Sequence, residues 1–204
     1  RSYDQDNERT KLTIMQSVEA NLFKGLVLRA SASWYYFHTV EENMRKDYET
    51  VPGQWDRTRS TSASYSRQFS QTYNAVLDYT TTFATSHNLN VMLGSEFYDQ
   101  YNNGFSASGF GASTDDFKKL GLTDAGEGKR SIDSSHSRYR ILSYFGRLNY
   151  DYEGKYLFSG VFRYDGYSSL LGKNRWGFFP GVSGGWVFTK EDFVKESLPF
   201  LYYG

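Results

Sequence analysis

Apolar and polar side chains alternate along most of this chain with a period of two, the spacing of a β-strand whose faces meet different surroundings. The pattern is plainest over residues 155–165, where Tyr156, Phe158, Gly160, Phe162 and Tyr164 fall on one face and Ser159, Arg163 and Asp165 on the other. Residues 10–23 put Leu12, Ile14, Val18, Ala20 and Leu22 together. After the two-residue turn Lys24 and Gly25, residues 26–37 do the same with Leu28, Ala30, Ala32, Trp34 and Tyr36. Further strands are read from about residue 58, clearest over 73–83, and at 89–98, 138–150 and 176–188. The arms of the first hairpin run to roughly twice the usual 5–6 residues.

The connections alternate in length. Those at 24–25, 85–88 and 151–154 are short, those at 38–57 and 101–136 are long and polar, and that at 166–175 is intermediate. Within 101–136, DDFKKLGL is expected to make a single helical turn. In an up-and-down meander this places short turns at one end and long loops at the other, the asymmetry of outer-membrane barrels. Trp34, Tyr36, Phe83, Tyr98, Tyr150, Tyr156, Tyr164, Trp186 and Phe188 stand near strand ends and would form interfacial aromatic girdles. The fold expected is all-β: an antiparallel up-and-down transmembrane β-barrel, of which this chain supplies about seven strands. Such a sheet would leave two open edges in lipid, so the remaining strands must come from elsewhere. Residues 1–204 are read as part of one barrel domain, a piece of something larger, with FLYYG the start of a further strand.

Composition fits this picture. Aromatics make up 19% of the 204 residues, and there are only 3 prolines. Mean hydropathy is −0.63, and no apolar run approaches the roughly 20 residues of a membrane-spanning helix. Strands of about 9–11 residues, apolar on one face, cross a bilayer with low average hydropathy. Lys and Arg (23) balance Asp and Glu (23), which argues against nucleic acid as a partner. There is no cysteine and hence no disulfide framework.

The stretch SYFGRLNYDYEGKYL, followed by RYDG with Ser168 and Ser169, then NRWGFFPGVSGGW and TKEDF, resembles the SusC/RagA-like family of TonB-dependent outer-membrane transporters over residues 143–193. NAVLDYTTTFATSHNLNVMLGSEF, residues 74–97, is similar to an earlier barrel hairpin of the same family. The family pattern D-G-S-S-x-F-G is altered here: Tyr167 is interposed and Leu171 replaces Phe. The resemblance implies a barrel of about 22 strands with an N-terminal plug that is not part of this chain. It implies import of a nutrient such as an oligosaccharide or peptide, energised by TonB acting through that absent N-terminal region, with a SusD-like surface lipoprotein over the mouth. The alternatives are a passive porin, a barrel enzyme such as an outer-membrane lipase, and a soluble β-sandwich binding module.

Arg147, Arg163 and Asp165 point to the non-aromatic face and are expected to line the lumen and meet the plug. Tyr48 and Trp55 in the first long loop, with Tyr101, Phe105 and Phe110 in the second, are the candidates for stacking on a sugar or meeting the lipoprotein. Asp115, Asp116, Asp124 and Glu127 lack the spacing of a calcium loop and are read as solvated. His38, His87 and His136 lie far apart without companions at zinc-ligand spacing. Asp133, Ser135 and His136 are neighbours rather than a triad, and GFSASGFG lacks the following helix of a phosphate loop. No catalysis, cofactor or metal is expected.

Overall fold

The computed structural model describes residues 2–197; FLYYG therefore lies outside the described residues. Nine strands follow one another: β1 (Tyr3–Phe23), β2 (Leu26–Arg45), β3 (Tyr48–Val51), β4 (Gln54–Asp56), β5 (Ser60–Phe83), β6 (His87–Phe110), β7 (Arg130–Tyr152), β8 (Tyr156–Tyr167) and β9 (Trp176–Trp186). Seven form one sheet in the order β1-β2-β5-β6-β7-β8-β9, and β3 and β4 make a separate two-stranded hairpin. The long strands thus run as the expected antiparallel meander, with the small hairpin inserted between β2 and β5. Among the described residues no helix is long and apolar enough to cross a membrane.

The chain divides into two compact units, of residues 1–14, 34–71 and 99–139, and of residues 15–33, 72–98 and 140–204. The second unit holds the short turns. Gly25 adopts φ 84°, Ala84 and Thr85 adopt 46° and 56°, and Glu153 and Gly154 adopt 53° and 63°, the left-handed backbone of tight hairpins. Each turn is tied to the next hairpin by the backbone: Thr80 N–H donates to Gly25 O (2.8 Å), Glu153 N–H to Ser86 O (2.8 Å) and Val187 N–H to Lys155 O (2.7 Å). The long connections 46–59 and 111–129 belong to the first unit.

Those connections are shorter than the sequence suggests. β2 continues to Arg45, β6 to Phe110, and β7 begins at Arg130, so much of 38–57 and 101–136 is strand rather than loop. β1 likewise starts at Tyr3, well ahead of residue 10. β5 and β6 reach 24 residues each, more than twice the roughly 9–11 that cross a bilayer. The expected helical turn is a 3-10 turn at Leu120–Leu122, at the end of DDFKKLGL. The charged segment after β9 folds into a 3-10 turn, Phe188–Lys190, and a short helix, Asp192–Ser197.

The pairing of β7 with β8 and β9 fixes the two faces of the second unit. Tyr144 opposes Tyr164, Gly146 opposes Phe162 and Tyr150 opposes Phe158, while Val182 opposes Gly160 and Phe178 opposes Tyr164. The alternate positions pair Ser143 with Asp165, Phe145 with Arg163 and Asn149 with Ser159. The aromatic face remains exposed: Phe178 keeps 60% and Val182 81% of its surface open. A water-soluble domain does not leave so broad an apolar surface uncovered. Tyr98 departs from the girdle expected of it, because it shares its face of β6 with Asn90 and Glu96, opposite to Leu93 and Phe97.

Rings lie over glycines on the neighbouring strands. A Cβ at Gly146 would come within 2.5 Å of the Phe162 ring and 2.9 Å of Leu93, and one at Gly94 within 2.4 Å of the Phe145 ring. Gly146→Val should therefore lower the stability of the full-length protein by about 1–3 kcal/mol through overpacking. Gly184→Ala, whose new methyl would meet only Leu157 O at 3.7 Å, should be nearly neutral. Thermal unfolding in detergent, followed by the gel shift of the folded form, checks both; equal midpoints for the two variants would refute the packing argument.

Candidate functional site

The polar face of the second unit carries a connected set of side chains. Arg163 donates from Nε to Asp165 (2.9 Å) and from its terminal nitrogen to Ser143 Oγ (3.0 Å). It lies 3.8 Å from Glu96, with its guanidinium 5.8 Å from the centre of the Phe145 ring. Asp165 and Ser143 are buried, so the ion pair is anchored at its acidic end and open at its basic end. Asn74 extends the set to β5 by donating to Glu96.

Nearer the short turns the same face carries an amide and hydroxyl ladder. Asn88 donates to Asp151 (2.8 Å), Asn90 to Asp78 and Thr80 (3.0 Å each), and Ser159 to Asn149 (2.7 Å). The open concavity there, about 500 Å³, includes Thr80, Asn90, Asn149, Leu157, Ser159 and Ser183 in its lining. Arg147 is exposed on this face, paired in register with Val161. The structure thus brings Arg163 and Asp165 into contact and leaves Arg147 apart from them.

The polar face also holds apolar side chains that the sequence reading passed over. Leu157 and Val161 alternate with Phe158 and Phe162, and Phe179 opposes Arg163. The same period of two that defined the aromatic face places them here. A face of ion pairs, amides and scattered aliphatics is the composition of a protein contact surface, whereas the apolar band of a lipid-facing surface carries no such charges.

The five aromatic candidates do not form one site. Tyr48 and Trp55 sit on adjacent strands of the β3–β4 hairpin, where Trp55 opposes Glu49 and Tyr48 opposes Asp56. Arg45 holds the hairpin, stacking 5.2 Å from the Tyr48 ring and donating to Asp56 at 2.8 Å. Trp55 is exposed. Tyr101 and Phe105 are strand residues of β6 and not loop residues, and share one face of it. Phe110 ends β6 on the other face, exposed, with its backbone joined to Lys129 and Asp124.

The acidic loop residues serve the loop itself. Arg59 donates to Asp115 and Asp47 (2.8 Å each) and to Ala112 O (3.4 Å), clamping segments on either side. Lys118 bridges Asp4 (3.1 Å) and Asp6, and Asp124 accepts from Gly126 N–H (2.9 Å). Among the described residues no three metal-ligating side chains gather. In β7, His136 alternates with Asp133 and Ser135 and so falls on the opposite face from both. His87 lies flat against Phe83, ring centres 4.9 Å apart, with Nδ1 2.7 Å from the Tyr150 hydroxyl.

No family model matches the chain. It is 31% identical to the TonB-dependent receptor SusC of Bacteroides thetaiotaomicron over 63% of its length and 12% of that receptor's. It is 26% identical to the TonB-dependent receptor P39 of Formosa agariphila over 96% of its length and 18% of that receptor's. Among solved structures, the RagAB peptide transporter superposes with a TM-score of 0.83 at 20% identity, covering 94% of this chain and 21% of that one. The RagAB peptide importer in its open-open state gives 0.84, also at 20% identity, over 94% of this chain and 21% of that one. The chain is thus similar in sequence to SusC-like TonB-dependent receptors and shares the fold of a stretch of RagAB, as the sequence motifs suggested. It spans about an eighth to a fifth of the curated relatives' length.

Beyond the end of β9, Glu191 accepts from the Tyr156 hydroxyl (2.7 Å) and the Trp186 indole (3.0 Å). These bonds, the tyrosine's foremost, hold its carboxyl below the usual carboxylate range. A carboxylate held low stabilises the fold above its ordinary range, and that contribution disappears as pH falls through the lowered value. Melting of the full-length protein should therefore lose a Glu191-dependent component on acidification from pH 6 to 3. Glu191→Gln should remove that component, and identical pH profiles for variant and wild type would contradict the assignment.

Proposed function

We propose that this chain is a stretch of wall of a TonB-dependent outer-membrane importer of nutrients. The observation that carries the reading is a long-stranded antiparallel meander, with one aromatic and one polar face, that aligns over 96% of its length with a TonB-dependent receptor. The aromatic face then meets lipid and the polar face the lumen. β1 and β9 end the sheet order; in a bilayer, their outer backbone groups require strands contributed from outside the described residues.

On this reading residues 1–204 are one part of a single barrel domain whose plug lies elsewhere in the protein. Arg147, Arg163 and Asp165, with the Asn90–Asn149–Ser159 ladder, contact that plug. The exposed Trp55 and the neighbouring Tyr48 meet either the substrate or a SusD-like lipoprotein at the mouth. The substrate class is an oligosaccharide or peptide, in keeping with the peptide transporter and importer whose fold the chain shares. The chemistry is binding and gated passage, without a catalytic step.

Orientation is tested by neighbouring substitutions on opposite faces. Phe162→Arg should block outer-membrane assembly of the full-length protein, since an arginine at the midplane of the lipid face costs about 2–4 kcal/mol. Val161→Arg, one residue away on the polar face, should assemble. The opposite result, or full solubility of the parent protein in plain buffer, would refute the wall reading. Transport is tested separately: uptake by cells carrying the full-length protein should stop when TonB is deleted. Passive, TonB-independent flux would point to a porin instead.

A further inference from the structure

The long strands carry a second chemistry on the same face as the aromatic girdle. In the second unit Tyr73 and Phe97 stack with ring centres 6.5 Å apart. Gln71, two residues before Tyr73 in β5, and Asp99, two residues after Phe97 in β6, again bring their side chains into contact. Tyr65 and Phe105, 5.9 Å between centres, are later steps of the same antiparallel pairing. Between β6 and β7 the side-chain contacts on this face are Leu93 beside Gly146, Asp99 with Arg138 and Tyr101 with His136. Along β6 the step from Leu93 to Asp99 is six residues and along β7 that from Gly146 to Arg138 is eight, both even, so within these unbroken strands the alternation keeps Asp99, Tyr101, His136 and Arg138 on the girdle's face.

In the first unit this surface is basic and aromatic. Arg138 donates from Nε to Asp99 (2.9 Å) and from a terminal nitrogen to the other carboxylate oxygen. Asp99 is buried, while the Arg138 side chain keeps 45% of its surface open. Of the five donors of a guanidinium, the carboxylate takes two and fixes the plane of the rest. Arg67 lies 5.7 Å from the centre of the Tyr101 ring, and no hydrogen bond is made by its buried Nε. Tyr101 also meets His136 edge-on at 5.1 Å. A concavity of about 170 Å³ opens among Phe69, Gln71, Asp99, Tyr101 and Arg138.

We propose that this patch binds the phosphate-bearing headgroup of an outer-leaflet lipid surrounding the barrel. The inference rests on the wall reading above, which turns this face toward lipid. Just past the apolar band such a face meets headgroups, and neither the lumen nor the plug can reach it. Arginine is the residue suited to forked contacts with phosphate, and flanking aromatic rings suit the sugar and glycerol level of a bilayer. Basic clusters at this depth hold anionic headgroups. Asp99 offsets one of the two arginines and holds it in place, and Arg67 supplies the uncompensated charge.

The experiment is native mass spectrometry of the full-length protein in detergent, titrated with diphosphoryl lipid A or with its dephosphorylated form. The wild type should retain the diphosphoryl lipid preferentially. Arg67→Gln should weaken retention about fivefold, and the pair Arg67→Gln with Arg138→Gln more strongly. Arg29→Gln, on the polar face where Arg29 bonds Glu19 at 2.7 Å, should leave retention unchanged. Equal retention of the two lipids, equal retention by wild type and Arg67→Gln, or displacement by millimolar inorganic phosphate would overturn the proposal. The gel shift of folded protein is measured for every variant, and Arg67→Gln alone decides should the double variant fail to fold. A protein that assembles in the outer membrane yet shows no lipid preference refutes this inference only, whereas one that does not assemble refutes the wall reading beneath it.

Discussion

Backbone pairing is the constraint from which the rest of this structure follows. In hydrocarbon each unpaired N–H or C=O costs several kcal/mol, so a spanning strand must have a partner along its whole apolar length. β7 and β8 show the consequence: twelve successive pairs run from Ile141 with Tyr167 to Tyr152 with Tyr156 without a break. The turns observe the same discipline. Gly25, Ser86 and Lys155 each offer a backbone carbonyl to the next hairpin, so pairing continues to the last residues before the chain reverses. Once the ladder is continuous, side chains need only satisfy what lies on either face, and the two faces part company residue by residue.

Within that ladder, packing on the aromatic face is done by rings on glycines more than by interlocking aliphatics. Phe162 covers Gly146, and the Trp176 ring comes within 2.8 Å of where a Cβ of Gly166 would stand. Tyr164 stacks on Trp176 with ring centres 4.7 Å apart. A ring laid across a glycine shields the backbone there and immobilises the ring, giving a sheet one residue thick some of the rigidity a two-layered core would supply. This explains how the second unit can be ordered with almost nothing buried: Val194 is its only buried hydrophobic side chain among the described residues.

Sequence revealed the strands where their two faces meet different surroundings and obscured them where both faces are alike. Residues 155–165 were legible because Phe158 and Phe162 alternate with Ser159 and Arg163. Residues 101–110, YNNGFSASGF, and 130–136, RSIDSSH, show no such contrast, yet both are strand. Their ladder is held by backbone bonds, which leave no mark on side-chain choice, and by small pairs such as Ser108 with Ser131 (2.8 Å). The polar set around Arg163 was half legible: alternation placed Arg163 and Asp165 on one face, but not Ser143 or Glu96, which reach them only across the register. Nearness to a strand end suggests a girdle for Tyr98, although its parity with Asn90 and Glu96 already places it on the opposite face. The β3–β4 hairpin was hidden for another reason. Strands of four and three residues are too short for a period to declare itself.

The strands that outrun the bilayer raise the question of what keeps them ordered in water, where unpaired backbone can be solvated and pairing is no longer compulsory. The charges of the first unit answer it. Arg59 ties Asp47, Ala112 and Asp115 together, Lys118 ties Asp4 and Asp6, and Lys119 reaches Glu42. Each surface pair alone contributes little. Their partners, however, lie 56 to 114 residues apart in sequence for Arg59–Asp115, Lys118–Asp4, Lys118–Asp6 and Lys119–Glu42, so each closes a long excursion of chain and several share one segment, residues 115–119. Met44 and Ala112 are the buried hydrophobic side chains of this unit among the described residues. The two units thus keep one ladder by different means: the medium enforces it where the faces are aromatic, and a mesh of ion pairs maintains it where they are wet.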